Sequence, residues 1–247
     1  YEIGSVTKAF TGLLLAQMSE SGEVTLDDEV QALLPQQVTV PSRDDQAITL
    51  EHLSTHFSGL PRLPTNLAPS DPLNPYADYD TSSLYAFLNG YTLPRVPGAS
   101  FEYSNLAVGL LGHALTLRAG APSLEALYAA RIIAPLGLED TSITLRTEQT
   151  SRLAPPYDAD GAPSKNWDLG ALAGAGALRS TTADMLTLGE AYLDQPAPLA
   201  NAMALATAPR RVAGPGSQIG LGWFVAEVNG DVARLHDGGT GGYTTFF

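Results

Sequence analysis

A serine and a lysine stand three positions apart near the start of the sequence, in the segment YEIGSVTKAF. Ser5 and Lys8 are followed by apolar residues at helical spacing, so both side chains are expected on one face of a helix. A serine hydroxyl becomes a nucleophile when a base takes its proton and donors stabilise the resulting oxyanion. Burial would lower the pKa of Lys8 and let it act as that base. The Ser5 backbone N–H, near the helix start, would be an oxyanion donor.

This four-residue pattern also arises by chance, and a serine at a helix start followed by a solvated lysine is its more common origin. Two further segments favour catalysis. Residues 103–105 read Tyr-Ser-Asn after a turn, which offers a phenol and a carboxamide of short reach. Residues 236–242 read HDGGTGG after a predicted strand, and glycine backbone N–H groups there can approach a ligand closely.

The three segments resemble the motifs of the serine β-lactamase and penicillin-binding protein superfamily. The branch that they match contains class C β-lactamases, D-Ala-D-Ala carboxypeptidases, D-aminopeptidases and family VIII carboxylesterases. That branch carries S-x-x-K, then Y-x-N, then K-T-G or H-x-G, which is the order found here. The flanking segments LEHLSTHFSGLP, PGASFEYSNLAVGLLG and LRSTTADM are also similar to it, so the resemblance covers nearly the whole chain.

The resemblance implies a role for each matched position. Ser5 would be the acylated nucleophile, Lys8 its proton partner, and Tyr103 the residue that protonates the leaving group and helps activate the deacylating water. The choice between Lys8 and Tyr103 as the base stays open, because their titrations would be coupled. The positions implied to bind substrate are Asn105, His236, Gly238, Gly239 and Thr240, with the N–H groups of Ser5 and Gly239 as the oxyanion hole. No metal or organic cofactor is implied.

Departures from the family pattern bear on the substrate. His236 and Asp237 stand where β-lactamases usually have lysine and threonine or serine, a pair that binds the substrate carboxylate. An aspartate facing that carboxylate would repel it, unless Asp237 points away, since alternate residues of a strand face opposite sides. Gly176 replaces a tyrosine that class C enzymes tend to have, which predicts a lower pocket wall. These departures favour an esterase or peptidase over an efficient β-lactamase.

The sequence therefore predicts a serine hydrolase that cleaves an ester or amide through an acyl-enzyme, as a carboxylesterase or a D-Ala-type peptidase. Two alternatives stay open: a true class C-like β-lactamase, and a penicillin-binding sensor that is acylated without turnover. The expected partner is a small ester, amide or β-lactam substrate. The oligomeric state is left open, and a periplasmic or extracellular location is implied by the resemblance alone.

The elements that must position these residues indicate an α+β fold, with an antiparallel sheet flanked by helices and an all-helical lobe. Apolar spacing predicts helices from Ser5 to about Gly22, within ITLEHLSTHFSGLP, up to Gly120, from Ser123 onward, and in STTADMLTLGEAYL. Residues 61–80 are expected to form a surface loop or lid, and residues 146–177 to be irregular. Asn229-Gly230 predicts a hairpin between two strands.

The resemblance implies one β-lactamase-like catalytic domain over residues 1–247, with a helical lobe at about 20–180 and a sheet lobe from the remainder. The chain begins without Met and ends in GGYTTFF, so the sheet is expected to be incomplete and the full protein longer at both ends.

Several other classes of function are disfavoured by composition. The net charge of −13, with 13 scattered basic residues, disfavours nucleic-acid binding, and the absence of cysteine excludes disulfides and thiolate metal sites. No apolar run approaches the length needed to cross a bilayer. His52 and His56 have the spacing of a zinc pair but lack a third ligand, and His113 is expected to be a hydrogen-bonded helix residue. No G-x-S-x-G occurs, which argues against an α/β-hydrolase.

Overall fold

The computed structural model describes residues 1–193 and 197–247. Its α-helices, in chain order, are α1 Thr7–Glu20, α2 Val30–Leu33, α3 Leu50–Ser54, α4 Thr81–Gly90, α5 Asn105–Arg118, α6 Leu124–Tyr128, α7 Ala134–Leu136, α8 Thr147–Thr150, α9 Thr182–Leu193 and α10 Ala200–Thr207. Single helical turns of other types span Gly4–Val6, Ala129–Ile133 and Gly170–Ala175. The strands are β1 Arg211–Gly214, β2 Ser217–Ile219, β3 Phe224–Val228, β4 Asp231–Leu235, β5 Asp237–Gly239 and β6 Thr244–Phe246.

The strands form two antiparallel groups. β1 to β4 make a four-stranded sheet in sequence order, and β5 pairs with β6. Asn229 and Gly230 both have positive φ, at 55° and 89°, which is the conformation of a two-residue hairpin turn between β3 and β4. The hairpin predicted at this dipeptide is therefore confirmed, and so is the α+β fold class.

Helix α1 runs through the core and is apolar on nearly all sides, with buried residues that include Phe10, Leu13 and Leu14. Such a helix must be surrounded by other elements. The loop after β2 lies directly on it, since a Cβ added at Gly12 would overlap the carbonyl of Leu221. Because α1 is enclosed in this way, the residues at its start are held rigidly.

Several predicted helix boundaries are confirmed. Helix α1 ends at Glu20, two residues before Gly22, whose φ of 74° cannot continue a helix easily. Helix α5 ends at Arg118, just before Gly120. The helix that begins after Ser123 is interrupted by a wide turn over residues 129–133, next to Pro135, which has no N–H for the helical ladder.

The structure differs from the sequence-based expectation in several places, among them α2, α4, β1 and β2, where no helix or strand was predicted. Residues 146–177 are not wholly irregular, because they contain α8 and the turn Gly170–Ala175. Helix α10 was not predicted from the sequence. It follows Leu199, which is in a left-handed conformation and makes no side-chain cap, so the usual start signal is missing.

Candidate active site

Ser5 lies in the helical turn Gly4–Val6, immediately before α1. Gly4 has a φ of 49°, and a Cβ at this position would come 2.7 Å from the backbone nitrogen of Gly239. A side chain would therefore separate the turn from β5. Glycine lets the two backbones touch, which brings Ser5 beside Gly239.

Lys8 is fully buried one helical turn after Ser5. Its Nζ is 2.9 Å from Ser5 Oγ, 2.8 Å from Asn105 Oδ1 and 2.7 Å from the carbonyl oxygen of Ala175. The pKa of Lys8 is well below its ordinary value because burial disfavours the ammonium form, and the nearby charge of Arg62 adds to this effect. The neutral amine is therefore favoured at this site.

Lys8 Nζ donates hydrogen bonds to the oxygens of Ser5, Asn105 and Ala175. The oxygens of Asn105 and Ala175 can only accept. In the neutral amine they take its two N–H bonds, which leaves the lone pair for the Ser5 hydroxyl. Loss of one proton from Lys8 therefore gives the arrangement that a general base requires.

Tyr103 and Asn105 are positioned by the start of α5. Ser104 caps that helix, because its Oγ accepts the Ala107 N–H at 2.9 Å. Tyr103 lines the cleft beside Ser5, and the Tyr103 ring centroid is 4.9 Å from Lys8 Nζ. Burial raises the pKa of Tyr103 to about 12, against the opposing effect of the Ser5 hydroxyl. The phenol is therefore protonated near neutral pH.

The second oxyanion donor is set by the register of β5 and β6. His236 and Phe247 exchange both backbone hydrogen bonds, at 2.8 and 3.0 Å, while Gly239 lies opposite Thr244 three residues along. Hydrogen-bonded pairs alternate in an antiparallel ladder, so the Gly239 N–H points away from β6 and toward the turn at Ser5. The Ser5 N–H lies in the first turn of a helical segment, where no intrahelical acceptor exists. These two N–H groups can serve one oxyanion.

Alternate residues of β5 face opposite sides. Asp237 and Gly239 are exposed and line the cleft with Ser5, whereas Gly238 is buried. His236, just before the strand, is also buried, and its Nδ1–H donates to the Asp237 carbonyl at 2.6 Å. Burial, with a smaller effect from Lys8, lowers the pKa of His236 to about 4, so the ring is neutral. Of the two orientations left open for Asp237, the structure has the one that faces the cleft.

The structure thus divides the positions expected to bind substrate. Asn105 and Gly239 line the cleft. His236 and Gly238 lie behind it, and Gly238 is packed so closely that a Cβ would overlap the Ile3 carbonyl. Thr240 is also outside the cleft lining, and its N–H donates to the Tyr243 carbonyl at 3.0 Å in the turn between β5 and β6. Direct substrate contact is therefore expected from Asn105 and Gly239.

The cleft has a volume of about 380 Å³ and is lined by Ser5, Arg62, Tyr76, Tyr103, Asn105, Trp167, Phe224, Asp237 and Gly239. Sequence reasoning missed Arg62, Tyr76, Trp167 and Phe224. Arg62 and Tyr76 belong to the segment 61–80. The prediction that this segment forms a surface loop or lid was the one sequence signal that could have placed them near the cleft. The Arg62 guanidinium lies 5.1 Å from the Tyr103 ring centroid, in the range of a cation–π contact.

His52, His113 and Gly176, which the sequence analysis also singled out, do not line the cleft. His52 Nδ1 accepts the Thr49 N–H at 3.3 Å in a helix cap. His113 Nε2 and the Tyr85 hydroxyl are 2.7 Å apart, so its prediction as a hydrogen-bonded helix residue is confirmed. Gly176 does not line the cleft and packs near Gly4 instead.

The described residues contain neither a cluster suited to a metal ion nor a helix that could cross a membrane. Within residues 1–193 and 197–247, no group of three or more histidine, aspartate or glutamate side chains is arranged to hold a metal ion. In the same ranges no helix combines the length and apolarity needed to span a bilayer.

Comparison with known proteins gives consistent matches. The family model described as Beta-lactamase matches residues 1–247. The D-alanyl-D-alanine-carboxypeptidase/endopeptidase AmpH of Escherichia coli K12 is 31% identical over 259 residues, which cover 99% of this chain and 66% of that protein. A β-lactamase of Pseudomonas fluorescens is 31% identical over 230 residues, which cover 90% of this chain and 59% of that protein. The chain thus spans about two thirds or less of the length of these relatives.

A solved structure shares the fold over nearly the whole chain. The β-lactamase/D-alanine carboxypeptidase of Yersinia pestis in complex with citrate superposes with a TM-score of 0.87 at 29% identity, over 99% of this chain and 72% of that one. The structure of a β-lactamase/D-alanine carboxypeptidase of Pseudomonas syringae has a TM-score of 0.82 at 21% identity, which supports the fold alone. With a family model matched from the first residue to the last, the chain belongs to the beta-lactamase family.

Proposed function

We propose that the chain is a serine hydrolase that cleaves an ester or amide through an acyl-enzyme on Ser5. The observation that carries the proposal is the set of three contacts around Lys8 Nζ. The oxygens of Asn105 and Ala175 can only accept, so in the neutral amine the lone pair is left for Ser5 Oγ, which lies 2.9 Å from Nζ. A lysine used only for packing or charge would not need to be buried neutral beside a serine hydroxyl.

Acylation follows from this arrangement. Ser5 Oγ attacks the carbonyl carbon of the substrate while its proton passes to Lys8, and the N–H groups of Ser5 and Gly239 stabilise the negative oxygen of the tetrahedral intermediate. When the intermediate collapses, the Tyr103 hydroxyl donates its proton to the leaving group. The proton held by Lys8 then replaces the one that Tyr103 has lost. The products are an acyl ester on Ser5 and a protonated leaving group.

Deacylation uses the same groups in reverse order. A water molecule attacks the acyl ester, and its proton passes through Tyr103 and Lys8 to the departing Ser5 oxygen. The pKa of Tyr103, at about 12, favours the protonated phenol. For this reason we propose that Lys8 accepts the first proton and that Tyr103 is the proton donor.

The charges of the cleft favour particular substrates. Asp237 faces the cleft two residues before Gly239, and consecutive residues of a strand advance about 3.3 Å, so its Cα lies about 7 Å from that of Gly239. Its carboxylate is close enough to act on the pKa values of Lys8 and Tyr103. A substrate carboxylate bound on that side would be repelled. We therefore propose an ester or a peptide, such as a D-Ala-type peptide, whose group near Asp237 is neutral or cationic. The name of the AmpH relative, which includes endopeptidase, supports cleavage within a peptide.

The experiment is a parallel turnover assay with p-nitrophenyl butyrate, nitrocefin and a D-Ala-D-Ala peptide, combined with intact-mass detection of any adduct. Ser5→Ala should abolish both turnover and adduct formation, because it removes the hydroxyl that contacts Lys8 Nζ. Ser151→Ala is the matched control, since Ser151 is exposed and its Oγ contacts only the Glu148 carbonyl, at 3.3 Å. Wild-type turnover by the Ser5→Ala variant would refute the proposal.

The substrate panel separates the remaining alternatives. Turnover of the ester or peptide with slow nitrocefin hydrolysis supports the proposed substrate class. Fast nitrocefin hydrolysis would favour the β-lactamase alternative, for which β-lactamase relatives are a precedent. A stable adduct on Ser5 without turnover would favour the sensor.

A further inference from the structure

One buried side chain beside the cleft has no part in the steps above. His56 follows helix α3 in the segment that leads to the cleft and is 1% exposed. Its ring packs against the ring of Tyr103, with the centroids 4.4 Å apart and the planes 33° apart. Phe101 meets it edge to face at 5.8 Å. The imidazole therefore forms the support on which the Tyr103 ring lies.

The same residue is hydrogen-bonded to the backbone around Tyr103. The Ser104 N–H donates to His56 Nδ1 at 3.1 Å, and the Glu102 N–H donates to the His56 carbonyl at 2.9 Å. One residue further, the Asn105 N–H donates to the Arg62 carbonyl at 3.0 Å. The segment 102–105 is thus fixed at successive points along the segment 56–62, and the His56 ring is the one side chain that accepts a backbone N–H from it.

The protonation state of His56 fits this task. Because Nδ1 accepts the Ser104 N–H, the ring proton must be on Nε2. Burial lowers the pKa of His56 well below 6.5, and the charge of Arg62 lowers it further. Protonation would turn the Nδ1 acceptor into a donor that faces the Ser104 N–H. The contact therefore exists only with the neutral ring.

We propose that His56 is a positioning residue, which aims the Tyr103 hydroxyl at Ser5 and keeps Asn105 in contact with Lys8 through its hold on Ser104. This inference rests on the proposed function of the cleft. An imidazole is suited to the position because it offers both a flat face and an in-plane acceptor. Its backbone φ of 64° is left-handed, a conformation that histidine and asparagine adopt more readily than most residues.

Two substitutions separate the contribution of the His56 ring face from that of its Nδ1 acceptor. His56→Phe keeps the ring face against Tyr103 and removes the acceptor. His56→Asn keeps an acceptor near the position of Nδ1, tolerates the left-handed backbone and removes the ring face. We expect His56→Phe to lower kcat about 100-fold with KM changed less than about threefold, because a misplacement of about 1 Å costs on that order. We expect His56→Asn to recover part of that loss.

A double-mutant cycle with Tyr103→Phe distinguishes positioning from a general structural role. If His56 acts through the Tyr103 hydroxyl, then His56→Phe should cost much less in the Tyr103→Phe background than in the wild-type background. Equal losses in both backgrounds, or wild-type kcat in both His56 variants, would overturn the inference. Thermal unfolding is measured for every variant. If His56→Phe does not fold, His56→Asn takes its place in the cycle.

Ser5→Ala is included in the same series. Loss of turnover in Ser5→Ala with wild-type kinetics in the His56 variants would remove this inference and leave the proposed function intact. Turnover retained in Ser5→Ala would remove the proposed function and, with it, the role assigned to His56.

Discussion

Replacing Asn105 by aspartate places a carboxylate where a neutral oxygen now accepts a hydrogen bond from Lys8. The distance from Lys8 Nζ to Asn105 Oδ1 is 2.8 Å. With charge centres about 4 Å apart and an effective dielectric constant near 20, the attraction between ammonium and carboxylate is about 4 kcal/mol. One pKa unit corresponds to about 1.4 kcal/mol, so Asn105→Asp should raise the pKa of Lys8 by about 3 units.

The sign of the change in rate follows from the role of Lys8. The amine must be neutral to take the Ser5 proton, so kcat/KM rises as the pH rises through the pKa of Lys8 in the free protein. A higher pKa moves this acid limb to higher pH by the same amount. The variant should therefore need a higher pH than the wild-type protein to reach the same fraction of its maximal kcat/KM.

The measurement is the pH dependence of kcat/KM for an ester substrate, corrected for spontaneous hydrolysis. Asn105→Ala is the control, because it removes the same contact with Lys8 without adding a charge, and its acid limb should not move upward. An Asn105→Asp profile that is lowered at every pH, with the acid limb where the wild-type protein has it, would refute the assignment of Lys8 as the base.

Two further substitutions test the strand that carries the oxyanion donor. Gly238→Ala should reduce the free energy of unfolding in urea by about 1–3 kcal/mol and also reduce activity, because the new Cβ would overlap the Ile3 carbonyl and push β5 away from Ser5. Gly214→Ala, whose Cβ would meet nothing within 4 Å, should change neither, and equal effects in the two variants would contradict this account. Asp237→Asn should lower KM by up to about fivefold for substrates with a carboxylate on the leaving-group side, since an exposed charge contributes about 1 kcal/mol or less. KM for a neutral ester should stay unchanged, and a similar fall for both substrates would rule out charge repulsion as the cause.

The parts of the site that could be predicted are those set by local geometry. Ser5 and Lys8 meet because residues three apart share a helix face, and Tyr103 and Asn105 stay together because Ser104 between them caps a helix. The hairpin at Asn229 follows from a dipeptide that needs positive φ at both residues. Each of these depends on a few consecutive residues, so the sequence contains the whole cause.

The parts that could not be predicted depend on packing between distant segments. Strand alternation required His236 and Asp237 to face opposite sides, but the side that faces the cleft is decided by the contact of Gly4 with Gly239. Arg62 reaches the cleft from a segment without periodicity, so no pattern could assign it there. The spacing of His56 from His52 indicates only half of a zinc site, whereas the contact of His56 with Ser104 joins residues 48 positions apart.

The buried amine of Lys8 links catalysis to the folding equilibrium. In the folded chain its pKa is well below 10.5, whereas unfolding returns the amine to water and to its ordinary pKa. Between these two values unfolding takes up a proton, so the free energy of unfolding falls as the pH is lowered through this interval. Unfolding therefore favours protonation of the Lys8 nitrogen, whereas catalysis needs its lone pair free to accept the Ser5 proton. Acidification therefore first destabilises the fold over this interval, and at the lower end of the interval it protonates the base.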